Sequence, residues 1–187
     1  EDKSYIVNFY SCFTGLNCNP NHINLFERTP RLDGVVNKAD IIYVGGGNTK
    51  SMLAVWREWK LDKLLKKAYD SGVVLSGVSA GAICWFDKGV TDSWASNLNL
   101  IDCMGILKGS CCPHYNSEKD RRPSVYKFIK DKKVSSVYCI EDGAAIHFKD
   151  DKLFKNISFI EKAKVFVVEE KNNVIKENAQ AMYSIIK

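Results

Sequence analysis

The hydrophobic pattern is sharpest around residue 40. Asp40 to Val44 (DIIYV) is a short, nearly continuous apolar run. Such a run suits a strand buried on both faces of a parallel sheet. It stops at Gly45-Gly46-Gly47, where Asn48 and Thr49 can cap the helix that follows. In that helix Leu61, Leu64, Leu65 and Ala68 recur at helical spacing, with lysines between them, and Gly72 ends it. Val73 to Ser76 (VVLS) predicts a second buried strand, followed by Gly77, Ser79 and a helix from Ala80 to Phe86. The order strand, glycine loop, helix, strand, glycine turn, helix predicts an α/β fold, with helices packed on the faces of a parallel sheet.

The flanks are less regular. Residues 4–14 (SYIVNFYSCFT) predict a short amphipathic helix, Asn17 to Asn21 a polar turn, His22 to Phe26 a strand, and residues 27–39 a polar connector. Residues 123–132 (PSVYKFIKDK) predict another helix, with Pro123 tolerated in its first turn. Val137 to Ile140, Ala144 to Phe148, Ile157 to Ile160 and Val165 to Val168 read as short strands separated by polar turns. No repeat or low-complexity segment divides the 187 residues, so the expectation is one domain over 1–187.

Composition narrows the function classes. Hydrophobic residues make up 45% of the chain and charged residues 26%, the values of an ordinary globular protein. The net charge of +5 comes from scattered lysines rather than a dense basic stripe, which argues against nucleic-acid binding. No apolar run approaches the roughly 20 residues that cross a bilayer, and no signal peptide is expected. The seven cysteines include the adjacent pair Cys111 and Cys112, and no Cys-x-x-Cys pair or zinc-ligand spacing occurs. The thiols are therefore expected to be reduced packing groups in a cytoplasmic protein that needs no metal and no cofactor.

The candidate chemistry sits in Gly77-Val78-Ser79-Ala80-Gly81. Gly-x-Ser-x-Gly between a strand and a helix has the spacing of a nucleophile elbow, which pushes the serine hydroxyl clear of the backbone and tolerates only small neighbours. The Ala80 N–H would then be an oxyanion donor, and a second would come from the glycine loop, through Gly46 or Gly47. That loop lacks the lysine of a Walker loop and the spacing of a dinucleotide fingerprint. A serine needs a general base, and His114, His147 and His22 are the histidines available, with His114 favoured because it follows Cys112-Pro113 in an irregular stretch. The carboxylate that orients the base is open among Asp92, Glu141 and Asp142.

Tyr43-Val-Gly-Gly-Gly-Asn-Thr49, then Gly77-Val-Ser-Ala-Gly-Ala82, then Cys112-Pro-His-Tyr115 resemble peptidase E, the aspartyl dipeptidase, whose wider relatives include cyanophycinase. The resemblance runs from about Lys38 to His147. It implies a three-layer α/β/α sandwich with a mostly parallel sheet, similar to class I glutamine amidotransferases. It implies Ser79 as nucleophile, His114 as base, and Asp92 or Glu141 as the acid. It also implies hydrolysis of small peptides with an N-terminal aspartate, bound through Asn48 and read by Arg121 or Arg122, since an arginine fork suits a carboxylate. In the family more chain precedes the glycine loop, including a strand of the sheet. Here the expectation is an open sheet edge, for which a homodimer would supply cover. Two readings compete with the peptidase: another serine hydrolase, such as an esterase, and a non-catalytic binding protein on a peptidase scaffold.

Overall fold

The computed structural model describes residues 3–94 and 96–185. Along the chain the elements are α1 (Lys3–Phe13), α2 (Leu32–Val36), β1 (Ile41–Val44), α3 (Thr49–Glu58), α4 (Leu61–Asp70), β2 (Val74–Gly77), α5 (Ala80–Ile83), β3 (Phe86–Thr91), β4 (Asn99–Asp102), β5 (Leu107–Cys112), α6 (Arg121–Lys130), β6 (Ser136–Ile140), β7 (Ala144–Lys149), β8 (Lys152–Ser158), β9 (Val165–Lys171), β10 (Val174–Ala179) and β11 (Tyr183–Ser184). They form an α/β structure with a two-stranded sheet β1-β2, a six-stranded sheet β10-β9-β6-β5-β3-β4 and a three-stranded sheet β11-β8-β7.

Two features place the functional residues. The first is the parallel register of β1 and β2, in which Ile41 faces Val74 and Val44 faces Gly77. The two strands end level, so the glycine loop after Val44 and the serine turn after Gly77 emerge side by side. The Val78 N–H continues the pairing onto the Val44 carbonyl at 3.1 Å. The second is the parallel run β3-β5-β6, which brings Cys112 level with Cys139. His114 and Asp142, just beyond those strands, therefore leave the same end of the sheet.

Alternation across the six-stranded sheet builds two cores. Cys112, Val137, Cys139 and Val168 point to one face, where Val125, Phe128 and Ile129 of α6 close over them. Cys111, Ile140 and Val165 point to the other, against Ile83 and Phe86, with Ile146 and Phe148 of β7 packed alongside. A third cluster joins α3 and α4 through Leu53, Trp56, Leu61 and Leu65 to Val44, Cys84 and Trp85. Burying each such aliphatic side chain stabilises the fold by about 1.5–3 kcal/mol.

Several expectations are corrected. The pairing is not mostly parallel: β1-β2, β3-β5, β5-β6 and β8-β11 are parallel, whereas β3-β4, β6-β9, β9-β10 and β7-β8 are antiparallel. The single helix between Asn48 and Gly72 is two, α3 and α4, because Lys60 adopts a left-handed φ of 56° and breaks the backbone ladder. The helix from Ala80 stops at Ile83, since Phe86 already pairs with Leu107. His22 to Phe26 forms no strand; Ile23 and Leu25 instead pack as half-buried side chains against the cluster around Leu53. The strand expected over 157–160 lies earlier, at Lys152–Ser158, and leaves Phe159 and Ile160 exposed.

Candidate active site

Ser79 opens α5 with φ 55° and ψ −115°. A non-glycine residue reaches this region only when its surroundings force it, and strain of this kind collects at functional turns. The forcing groups are the neighbouring backbones. A Cβ on Gly77 would stand 2.2 Å from the Gly81 carbonyl oxygen, and a Cβ on Gly81 would stand 2.1 Å from the Val44 carbonyl oxygen. Only glycine lets the turn close against the end of β1, and the closed turn leaves the Ser79 side chain half-buried at its crest.

His114 follows β5, also with a left-handed φ of 55°. The backbone of the next residue is tied to the sheet, since the Tyr115 N–H donates to the Ile140 carbonyl at 3.1 Å. The imidazole thereby meets the serine: Nε2 lies 2.9 Å from Ser79 Oγ. Its other nitrogen, Nδ1, lies 2.7 Å from Asp142 Oδ1. An ionised carboxylate can only accept, so Nδ1 carries the proton and Nε2 is free to accept from the serine hydroxyl. Ser117 helps hold the Asp142 carboxyl below the usual carboxylate range. The imidazole and the Arg121 charge act in the same direction, while partial burial opposes them.

Asp142 stands in the position expected for Asp92 or Glu141, and neither of those reaches the imidazole. The Asp92 side chain is 71% exposed, and its carboxylate faces Arg121 at 4.0 Å. Glu141 turns away from the site, its Oε2 accepting the Lys164 N–H at 2.8 Å. Of the other histidines, His22 bonds Tyr10 on the surface and His147 stacks edge-on against Phe154.

The glycine loop lies against Ser79: a Cβ on Gly46 would come within 3.3 Å of Ser79 Cβ. The Gly46 N–H donates to the Tyr5 hydroxyl at 2.8 Å, so a tyrosine oxygen from α1 occupies one expected oxyanion donor. Gly47, with φ 136°, faces open space. The Ala80 N–H opens a helix and has no preceding turn to receive it. Asn48 is spent on structure. Its Oδ1 caps α3 by accepting the Ser51 N–H at 2.9 Å, and its Nδ2 donates to the Ser93 carbonyl at 2.7 Å.

The two arginines part. Arg121 is 3% exposed, donating from Nε to Glu118 at 2.7 Å and from Nη1 to the Val90 carbonyl at 2.9 Å. Its charge is felt by both Asp92 and Asp142. Arg122 lies elsewhere, stacked 4.7 Å over the Tyr115 ring and paired with Glu177. All seven cysteines are free, and burial pushes the Cys84, Cys111 and Cys139 thiols well up, which keeps them protonated and poor nucleophiles. Among the described residues no group of three or more His, Cys, Asp or Glu side chains is arranged to hold a metal ion, and no helix is long and apolar enough to cross a membrane.

Sequence reasoning left Asp142 undecided and missed Tyr5, Asn116 and Ser117. The one signal for Asp142 was its place in Glu-Asp-Gly at the end of an apolar run. Asn116 and Ser117 were marked only by their nearness to His114.

Residues 1–156 match Peptidase family S51. The uncharacterised peptidase YgaJ of Bacillus subtilis (strain 168) is 48% identical over 170 residues, 90% of this chain and 73% of that protein. Peptidase E of Pasteurella multocida (strain Pm70) is 27% identical over 124 residues, 62% of this chain and 53% of that protein. A solved structure of a candidate peptidase E from Listeria monocytogenes EGD-e superposes with a TM-score of 0.53 at 24% identity, over 69% of this chain and 64% of that one. This likeness extends to the fold.

Proposed function

This chain belongs to peptidase family S51, and from that premise we propose that it is a serine peptidase that hydrolyses small acidic peptides, dipeptides with an N-terminal aspartate foremost. The observation that carries the reading is the relay from Ser79 Oγ to His114 Nε2 at 2.9 Å and from His114 Nδ1 to Asp142 at 2.7 Å. In this reading His114 takes the hydroxyl proton as Oγ attacks the peptide carbonyl carbon. The carbonyl oxygen becomes negative and is held by the Ala80 N–H and by the glycine loop, displacing the Tyr5 hydroxyl from Gly46. The imidazolium, steadied by Asp142, then passes its proton to the departing amine. Water, activated by the same imidazole, releases the acyl group from Ser79. Arg121 is buried against Glu118 and the Val90 carbonyl, so it acts on an acidic substrate through its charge and not by direct contact.

The test compares Asp-Leu with Leu-Leu as substrates. Positive charge beside the site predicts a kcat/KM preference for Asp-Leu over Leu-Leu of about tenfold. A protein that cleaves simple esters but neither dipeptide is an esterase. One that cleaves nothing is the non-catalytic scaffold, and one that prefers Leu-Leu leaves the acidic specificity without support.

Asp142→Asn should identify the orienting acid. An amide in place of the carboxylate favours the wrong imidazole tautomer and is expected to lower kcat about 10³- to 10⁴-fold. Asp92→Asn and Glu141→Gln should leave kcat largely unchanged. Because the Asp142 carboxyl is held below its ordinary range, its ionised form persists to lower pH than a free carboxylate. Its contribution is thus present above the unfolded value and lost only as pH falls through the lowered one. Kinetics of the three variants that rank Asp92 or Glu141 above Asp142 would remove this assignment.

A further inference from the structure

Asp142 lies in the turn after β6, and its side chain is 49% exposed. An exposed carboxylate is free to rotate into water, and no apolar packing holds this one against the imidazole. The segment just after the base does. Asn116 Oδ1 accepts the backbone N–H of Asp142 at 2.9 Å, which fixes where the turn starts. Ser117, the next residue, helps hold the Asp142 carboxyl below its ordinary range. The segment that carries both is pinned in turn. Tyr115 is buried, its N–H holds the end of β6, and the Glu118 N–H closes back onto the His114 carbonyl at 3.2 Å. Asn116 and Ser117 are both exposed and contribute nothing to the core.

We propose that Asn116 is a positioning residue that holds Asp142 against His114, so that the base and the clamp on its orienting acid travel on one short turn. It does not touch the reacting atoms and acts through Asp142. The inference rests on the Ser79–His114–Asp142 reading above. It accounts for how an acid on an exposed turn, on a different strand from the base, can be held within hydrogen-bond reach of the imidazole.

The test uses diisopropyl fluorophosphate, which the Ser79 oxygen attacks at phosphorus with loss of fluoride while His114 takes the proton. It therefore does not depend on the peptide specificity. Wild type should be labelled at Ser79 and should show a downfield His114 Nδ1–H proton resonance. Asn116→Ala should be labelled about tenfold to a hundredfold more slowly, with that resonance shifted or broadened and the thermal midpoint unchanged. Asn116→Asp, which keeps the accepting oxygen, should recover most of the rate. Asn116→Ala labelled at the wild-type rate with an unmoved resonance overturns this inference and leaves the peptidase reading standing. Wild type that is not labelled at Ser79 overturns both.

Discussion

Ser79→Ala is expected to lower kcat/KM on the preferred dipeptide by about 10⁶-fold, to the level supplied by binding and the oxyanion donors alone. The hydroxyl is the sole atom removed, and alanine keeps the Cβ at the crest of the turn. The variant should therefore fold like wild type and still bind substrate. His114→Ala should cost a comparable factor, and the double variant little more than either, because nucleophile and base act as a unit. Steady-state kinetics with Asp-Leu, with the thermal midpoint as control, measures all three. Residual activity in Ser79→Ala within tenfold of wild type would place the nucleophile elsewhere.

Gly81→Ala is expected to have the largest effect on stability. Its Cβ would sit 2.1 Å from the Val44 carbonyl oxygen and 2.5 Å from the Val44 carbonyl carbon. These are backbone atoms of a paired strand and cannot rotate aside. Relief requires β1 to separate from β2, or α5 to lift from both. The cost should lie at or above the top of the 1–3 kcal/mol typical of overpacking, roughly 3 kcal/mol or more, a large share of a domain's net stability. Gly34→Ala is the control. It lies inside α2 with nothing within 4 Å of its added Cβ, so it should be neutral or slightly stabilising. Urea unfolding of both variants reads the difference. A Gly81→Ala midpoint equal to wild type would mean that β1 and the serine turn are not packed as described.

The sequence by itself determined the local machinery of this protein. A strand run that ends in three glycines, a second that ends in Gly-x-Ser-x-Gly, and a histidine after Cys-Pro follow from steric rules that act over a few residues. β1, β2, the serine turn and α6 were legible for that reason. β3, β4, β5 and β10 were not, since FDKGVT, NLID, LKGSCC and VIKENA carry no clear period and become strands only by pairing with neighbours distant in the chain. Tertiary structure decided the carboxylate partner of His114. Glu141 and Asp142 are adjacent carboxylates with the same local signal, and only the antiparallel approach of Lys164 to Glu141 draws one away and leaves the other to the imidazole. It also decided the fates of Arg121 and Arg122, successive residues at the start of one helix: the first is turned inward to the Val90 carbonyl, and the second outward over Tyr115 to Glu177. Neighbours in sequence share composition and propensity, but the direction in which each side chain points is set by what the rest of the fold brings against it.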